Sequence, residues 1–194
     1  MIVEEAERHH SYVAAHCTGY EGAYQALQAG VKCIEHGVML TAREIDLMQA
    51  ADATLVSTLT VALGVAEIPD LPDWMREKAK SAAEHNLKTI EMAREAGIRI
   101  ALGTDFSNSK NTPYRSNGRE FASMVRAGMT QAEAIRAGTI NAAYLMNRDE
   151  ETGSLEAGKL ADIVLVSGNP LESIECLGSP EAIEAVFLGG KQVK

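Results

Sequence analysis

Apolar and polar positions along this chain follow two alternating rhythms. Short apolar runs read as buried strands: residues 12–17 (YVAAHC), 32–37 (KCIEHG), 53–62 (ATLVSTLTVA, rich in β-branched residues) and 98–104 (IRIALGT). Between them the period lengthens to that of helices. Residues 1–10 read as a helix tail, 21–29 as a helix stopping near Gly30, and 72–96 as a long helix opened by a proline and closed by Gly97. The stretch TAREIDLMQAA starts with Thr41 and Glu44 in capping-box spacing, a helix start signal. Residues 117–128 and 130–146 read as two further helices. Four strand–helix units in succession predict a parallel sheet with covering helices. From residue 151 the rhythm changes: ADIVLVSG and AIEAVFLGGKQVK are β-like and separated by turn residues, so a boundary is expected near Gly153.

Composition narrows the class. A chain of 194 residues makes one domain or slightly more, and its formal net charge of -9, without a basic stripe, argues against nucleic acid or an anionic membrane as partner. The three cysteines, Cys17, Cys33 and Cys176, are unpatterned and suggest reduced thiols in a cytoplasmic setting. No apolar run reaches the roughly 18 residues of a membrane helix, and the acidic N-terminus has no signal-peptide character.

The candidate chemistry lies at strand exits. The first strand ends AAHC with His16, the second IEHG with His36, and the fourth GTDF with Asp105. In a barrel of parallel strands these ends converge on one face, where two imidazoles and a carboxylate suit a divalent metal: zinc, with iron or manganese as alternatives. Each residue also has a plainer reading. A histidine near a strand end is often only hydrogen-bonded, and Asp105 is placed to cap the backbone of Ser107 or Asn108. His9, His10 and His85 fall in helices and read as surface residues. The third strand offers hydroxyls instead of ligands: Ser57, Thr58 and Thr60. These, with Tyr114 and Arg115 after the fourth strand, are the candidates for substrate contact. An exposed loop arginine is commonly only solvated, and Cys17 is expected to face away from His16.

Histidine, histidine, nothing, aspartate on successive strands resembles barrel strands five to eight of the amidohydrolase superfamily. The segments VAAHCTG, AGVKCIEHG, GIRIALGTD, AGMTQAEAIRAGTINAAYLM and GSLEAGKLADIVLVSGNPLESI resemble imidazolonepropionase-like and prolidase-like members, over nearly the whole chain. The resemblance implies the C-terminal half of a TIM-like (β/α)8 barrel over residues 1–152 and part of a β-sandwich over 153–194. It implies a binuclear metal-dependent hydrolase acting on carbon–nitrogen bonds of an amide or dipeptide-like substrate. His16 and His36 would bind the second metal. Asp105 would bind the first metal and serve as base. Three residues after His16 stands Gly19, where mononuclear deaminases of the group carry glutamate, which favours the binuclear branch. The His-x-His pair and the strand-end lysine of the family have no counterpart here. The chain therefore reads as a C-terminal half, expected to bind metal weakly and to be inactive alone unless a missing N-terminal half completes the site. The competing expectation is a non-catalytic α/β module that assembles with a partner or a second copy.

Overall fold

A computed structural model describes residues 1–66, 68–108 and 112–194. Helix α1 (Ile2–Arg8) leads into strand β1 (Ala14–Cys17), followed by α2 (Tyr20–Gln28), β2 (Cys33–His36), α3 (Ala42–Ala50) and β3 (Thr54–Ser57). Helices α4 (Leu59–Ala66) and α5 (Asp73–Glu95) precede β4 (Arg99–Leu102), and α6 (Arg119–Arg126), α7 (Gln131–Ala137) and α8 (Ile140–Leu145) follow it. The chain finishes with β5 (Ile163–Val166), a 3-10 turn (Ile174–Gly178), β6 (Ile183–Leu188) and β7 (Lys191–Gln192).

Strands β1 to β4 form one sheet in sequence order, every pair parallel. The protein is thus an α/β fold, as the alternation predicts. Side chains alternate across the sheet. Cys17, Ile34, Leu55 and Ile100 point to the helix side, where they join Ala23, Ile45, Met48, Ile90 and Met124 in the main core. The other face carries a much smaller cluster, Cys33, Val56 and Ala101, packed against Leu145. At its lower end Arg99 stacks 3.6 Å over the Tyr144 ring and pairs with Asp52 at 3.4 Å.

Two expectations need correction. The strand expected over 53–62 stops at Ser57, and Leu59–Ala66 is helical. Its β-branched content loses to a carboxylate from another element, Glu120, which accepts the backbone N–H groups of Leu59 and Thr60 and so starts a helix there. The single helix expected over 130–146 is two, interrupted at Thr139, whose φ of -126° and ψ of -98° are non-helical and whose hydroxyl donates to the Ile135 carbonyl. The Thr41–Glu44 capping box is present at the start of α3, and α7 begins with another, Thr130–Glu133.

Beyond residue 151, β5, β6 and β7 form a separate antiparallel sheet. The motif GSLEAGKLAD works as a clamp. Lys159 donates its ammonium to the Asp149 carbonyl and the Ser154 hydroxyl, and Asp162 accepts the Gly189 amide at 2.7 Å, tying β5 to the β6–β7 turn. Among the described residues no helix is long and apolar enough to cross a membrane.

Candidate active site

His16 and Glu35 are register partners on β1 and β2, and so are Cys17 and His36. Strict alternation would therefore send the His36 side chain with Cys17 toward the helices. It does not go there. His36 has φ +67°, and Gly37 after it has φ +62°. This left-handed turn breaks the two-residue period at the strand end. The His36 ring instead meets His16, with centroids 4.6 Å apart and planes 72° from parallel, an edge-to-face contact. Gly37 also lies where a Cβ would stand 2.5 Å from Leu55 Cδ1, so glycine is required both for the turn and for the space.

The His36 ring is fixed from a third strand. Its Nδ1 lies 2.8 Å from Thr58 Oγ1, directly after β3. With Nδ1 engaged, Nε2 is the nitrogen left for another partner. Burial and then the neighbouring His16 ring lower the proton affinity of His36, while the carboxylates of Asp105 and Glu35 oppose that fall.

Asp105 follows β4 after Gly103 and Thr104. The Gly103 amide still bonds the Ser57 carbonyl at 2.9 Å, and a Cβ at 103 would stand 2.5 Å from Val56 Cγ1, so the strands can close up only around glycine. Asp105 then adopts φ +51°, a second left-handed residue at a strand end, of a type that tolerates it. Its carboxylate is exposed and close enough to act on the charge of His36. Among the described residues the amides of Ser107 and Asn108 do not donate to it, so the capping alternative gains no support.

The structure thus brings His16 and His36 into contact and sets Asp105 within electrostatic reach of His36. Among the described residues no three His, Cys, Asp or Glu side chains are grouped tightly enough to hold a metal ion. Two imidazoles in contact, one with its Nδ1 on Thr58 Oγ1, and a carboxylate within electrostatic reach of that ring are nevertheless donor types that a divalent transition metal takes. The residues fit such a metal as part of a donor set.

The substrate candidates separate. Ser57 is fully buried and donates to the Glu120 carboxylate at 2.5 Å, so it is not available at a mouth. Alternation explains this, since Ser57 lies on the Leu55 side of β3. Thr58 and Thr60 are buried too, the first on His36 and the second on Ser123 Oγ at 2.8 Å. Tyr114 and Arg115 stand exposed on the loop between β4 and α6, where the Tyr114 amide donates to Asn108 Oδ1. Cys17 is buried in the helix-side core, away from His16 as expected. Cys33 donates to Glu35, and burial first, then that carboxylate, pushes its thiol well above the ordinary range. The residue that sequence reasoning missed is Glu120. The available signal was its spacing: Glu120, Met124 and Ala127 share one face of a helix, which puts a carboxylate on the apolar stripe.

The pattern of the amidohydrolase family matches residues 1–193. The chain belongs to the amidohydrolase family. Among relatives, an ochratoxinase from Aspergillus niger is 33% identical over 201 residues, which covers 100% of this chain and 40% of that protein. An imidazolonepropionase from Shouchella clausii is 28% identical over 200 residues, covering 99% of this chain and 40% of the relative. Among solved structures, a Xaa-Pro dipeptidase with methionine bound in its active site superposes with a TM-score of 0.87 at 34% identity, over 100% of this chain and 47% of that one. This amidohydrolase chain therefore spans less than half the length of the relatives it matches.

Proposed function

We propose that this amidohydrolase chain carries half of a metal-dependent active site that hydrolyses the C–N bond of an amide or dipeptide-like substrate. In this reading β1 to β4 are strands five to eight of a TIM-like (β/α)8 barrel, residues 1–152 its C-terminal half, and 153–194 part of a β-sandwich. The in-order parallel sheet, the separate antiparallel sheet and the partial coverage of longer relatives support it. The observation that carries the reading is the His16–His36 contact, made at the C-terminal ends of adjacent parallel strands by a left-handed turn. A non-glycine residue in the left-handed region is uncommon, and at His36 that conformation goes with the ring contact to His16.

A divalent metal, zinc in the first instance, would polarise the scissile carbonyl and lower the pKa of a water toward neutrality. His16 and His36 would offer ring nitrogens, and Thr58 keeps the His36 ring from turning away. Asp105 is the base. It takes a proton from the attacking water as the oxygen adds to the carbonyl carbon, and passes it to the departing nitrogen as the C–N bond breaks, leaving a carboxylic acid and an amine, which become carboxylate and ammonium when the second water proton passes between them. The exposed pair Tyr114 and Arg115 is placed to meet the substrate, Arg115 as a partner for a carboxylate. The similarity to a Xaa-Pro dipeptidase of known structure makes a dipeptide the first substrate class to try.

The remaining metal donors come from outside this chain in this reading, so the 194 residues alone bind zinc weakly and hydrolyse nothing appreciable. The test is to measure zinc uptake and Xaa-Pro dipeptide hydrolysis by the chain alone and after co-folding with the N-terminal half of a prolidase-like relative. Both should rise on co-folding. Asp105→Asn should then lower the rate on the order of a hundredfold. Strong zinc-dependent hydrolysis by the chain alone would overturn the half-site reading, and an unchanged rate in Asp105→Asn would remove the base.

A further inference from the structure

Glu120 sits on α6, fully buried, and spends its carboxylate on one turn of another element. Its oxygens accept the Ser57 hydroxyl at 2.5 Å, the Leu59 amide at 2.7 Å and the Thr60 amide at 2.8 Å. Thr60 Oγ1 is in turn bonded to Ser123 Oγ, on the same helix as Glu120. Three of the four residues 57–60 are thereby fastened to α6. The fourth, Thr58, is fastened to His36.

Thr58 immediately precedes α4. A threonine in that place ordinarily turns its hydroxyl back onto the amides of the first helical turn, and losing such a cap costs about 1 kcal/mol. Here the hydroxyl goes to the imidazole. Of the two amides that Glu120 takes, that of Thr60 is one such a cap would ordinarily bind. A carboxylate at a helix N-terminus is also favoured by the helix dipole. The division of labour is coherent: Glu120 does the capping, and Thr58 is released for His36.

We infer that Glu120 is a positioning residue for His36. By holding the 57–60 turn on α6 it keeps Thr58 Oγ1 where the imidazole Nδ1–H donates to it, which leaves Nε2 as the free nitrogen for a divalent metal. The inference rests on the reading of His36 as a ligand for its purpose, but not for its geometry. A purely structural Glu120 would affect stability and leave the state of the His36 ring untouched.

The experiment reads the ring directly. Long-range proton–nitrogen spectra of the ¹⁵N-labelled metal-free chain report the His36 tautomer, and zinc titration followed on the same signals reports affinity. The parent and Thr58→Ser should show His36 as a single Nδ1–H tautomer. Thr58→Val and Glu120→Ala should each show mixed tautomers, with zinc affinity lower by about 10- to 100-fold, the usual effect of losing a partner behind a metal ligand. The double variant should be no worse than Thr58→Val, because the same hydrogen bond is lost only once. A Glu120→Ala chain that keeps the parent tautomer and affinity overturns the inference, and so do losses that multiply in the double variant. If Glu120→Ala does not fold, Glu120→Gln, which keeps the size and one acceptor oxygen, decides by the same signals: a parent-like ring overturns the inference, and a partly mixed one supports it. A parent chain that takes up no zinc would refute the metal reading of His36, while its tautomer spectra would still decide the role of Glu120.

Discussion

Replacing Gly37 by alanine puts a number on the left-handed turn that aims His36. Two costs add. An alanine held at φ +62° costs about 1–2 kcal/mol, because its Cβ approaches the following carbonyl. Its Cβ would also stand 2.5 Å from Leu55 Cδ1 and 3.3 Å from Leu40 Cδ1. Leu55 is fully buried in the centre of the sheet and Leu40 is 5% exposed, so neither can swing into solvent. Overpacking of that kind costs about 1–3 kcal/mol. The sum is about 2–5 kcal/mol. For a chain of this size each kcal/mol moves the melting temperature by roughly 2–4 °C, so a fall of at least about 4 °C is expected by circular dichroism, with a matching shift in urea midpoint. Gly22 supplies the control. It lies inside α2 with nothing within 4 Å of an added Cβ, so Gly22→Ala should raise stability by up to about 1 kcal/mol. A Gly37→Ala chain within about 0.5 kcal/mol of the parent would refute the argument, because neither the backbone nor the packing cost could then be real.

Three further outcomes are expected. Glu133 is held below the usual carboxylate value of 4.5, first by Arg94 and then by the Thr130 amide, so the stability it contributes is present above about pH 4.5 and is lost as pH falls through its lower folded value. Both side chains are over a third exposed, so the effect is under about 1 kcal/mol, and Glu133→Gln should flatten the acid limb of stability against pH; an unchanged limb would exclude the pair as its source. Thr89 is fully buried with no partner for its hydroxyl among the described residues, so Thr89→Val should be neutral or stabilise by about 1 kcal/mol in urea unfolding, and a loss would reveal a bonded hydroxyl. Ile90→Ala, one residue on and fully buried in the helix-side core, should cost about 2–5 kcal/mol in the same assay, and a loss under 1 kcal/mol would show that α5 is not packed on the sheet as described.

Much of the architecture was legible from local patterns. The alternation of strand and helix, the parallel order that it implies, and the Thr41–Glu44 helix start each depend on residues a few positions apart, where periodicity and capping act. The same local reading put His16, His36 and Asp105 at strand exits, since a strand end can be found from its apolar run and the glycine after it. What it could not supply was direction. Counting by twos sends His36 into the helix layer, and only the backbone at His36 and Gly37 turns the ring onto His16. Ser57 to Thr60 looked like strand because β-branched residues favour strands, and a carboxylate about sixty residues later made the last part helix. That contact also decided the roles of the hydroxyls, turning Ser57 inward and leaving Thr58 to His36. Local propensity is a matter of a few tenths of a kcal/mol per residue, whereas leaving a buried donor without its acceptor costs about 1–3 kcal/mol. Where the two disagree the long-range bond prevails, and its partner can be seen only once the chain is folded.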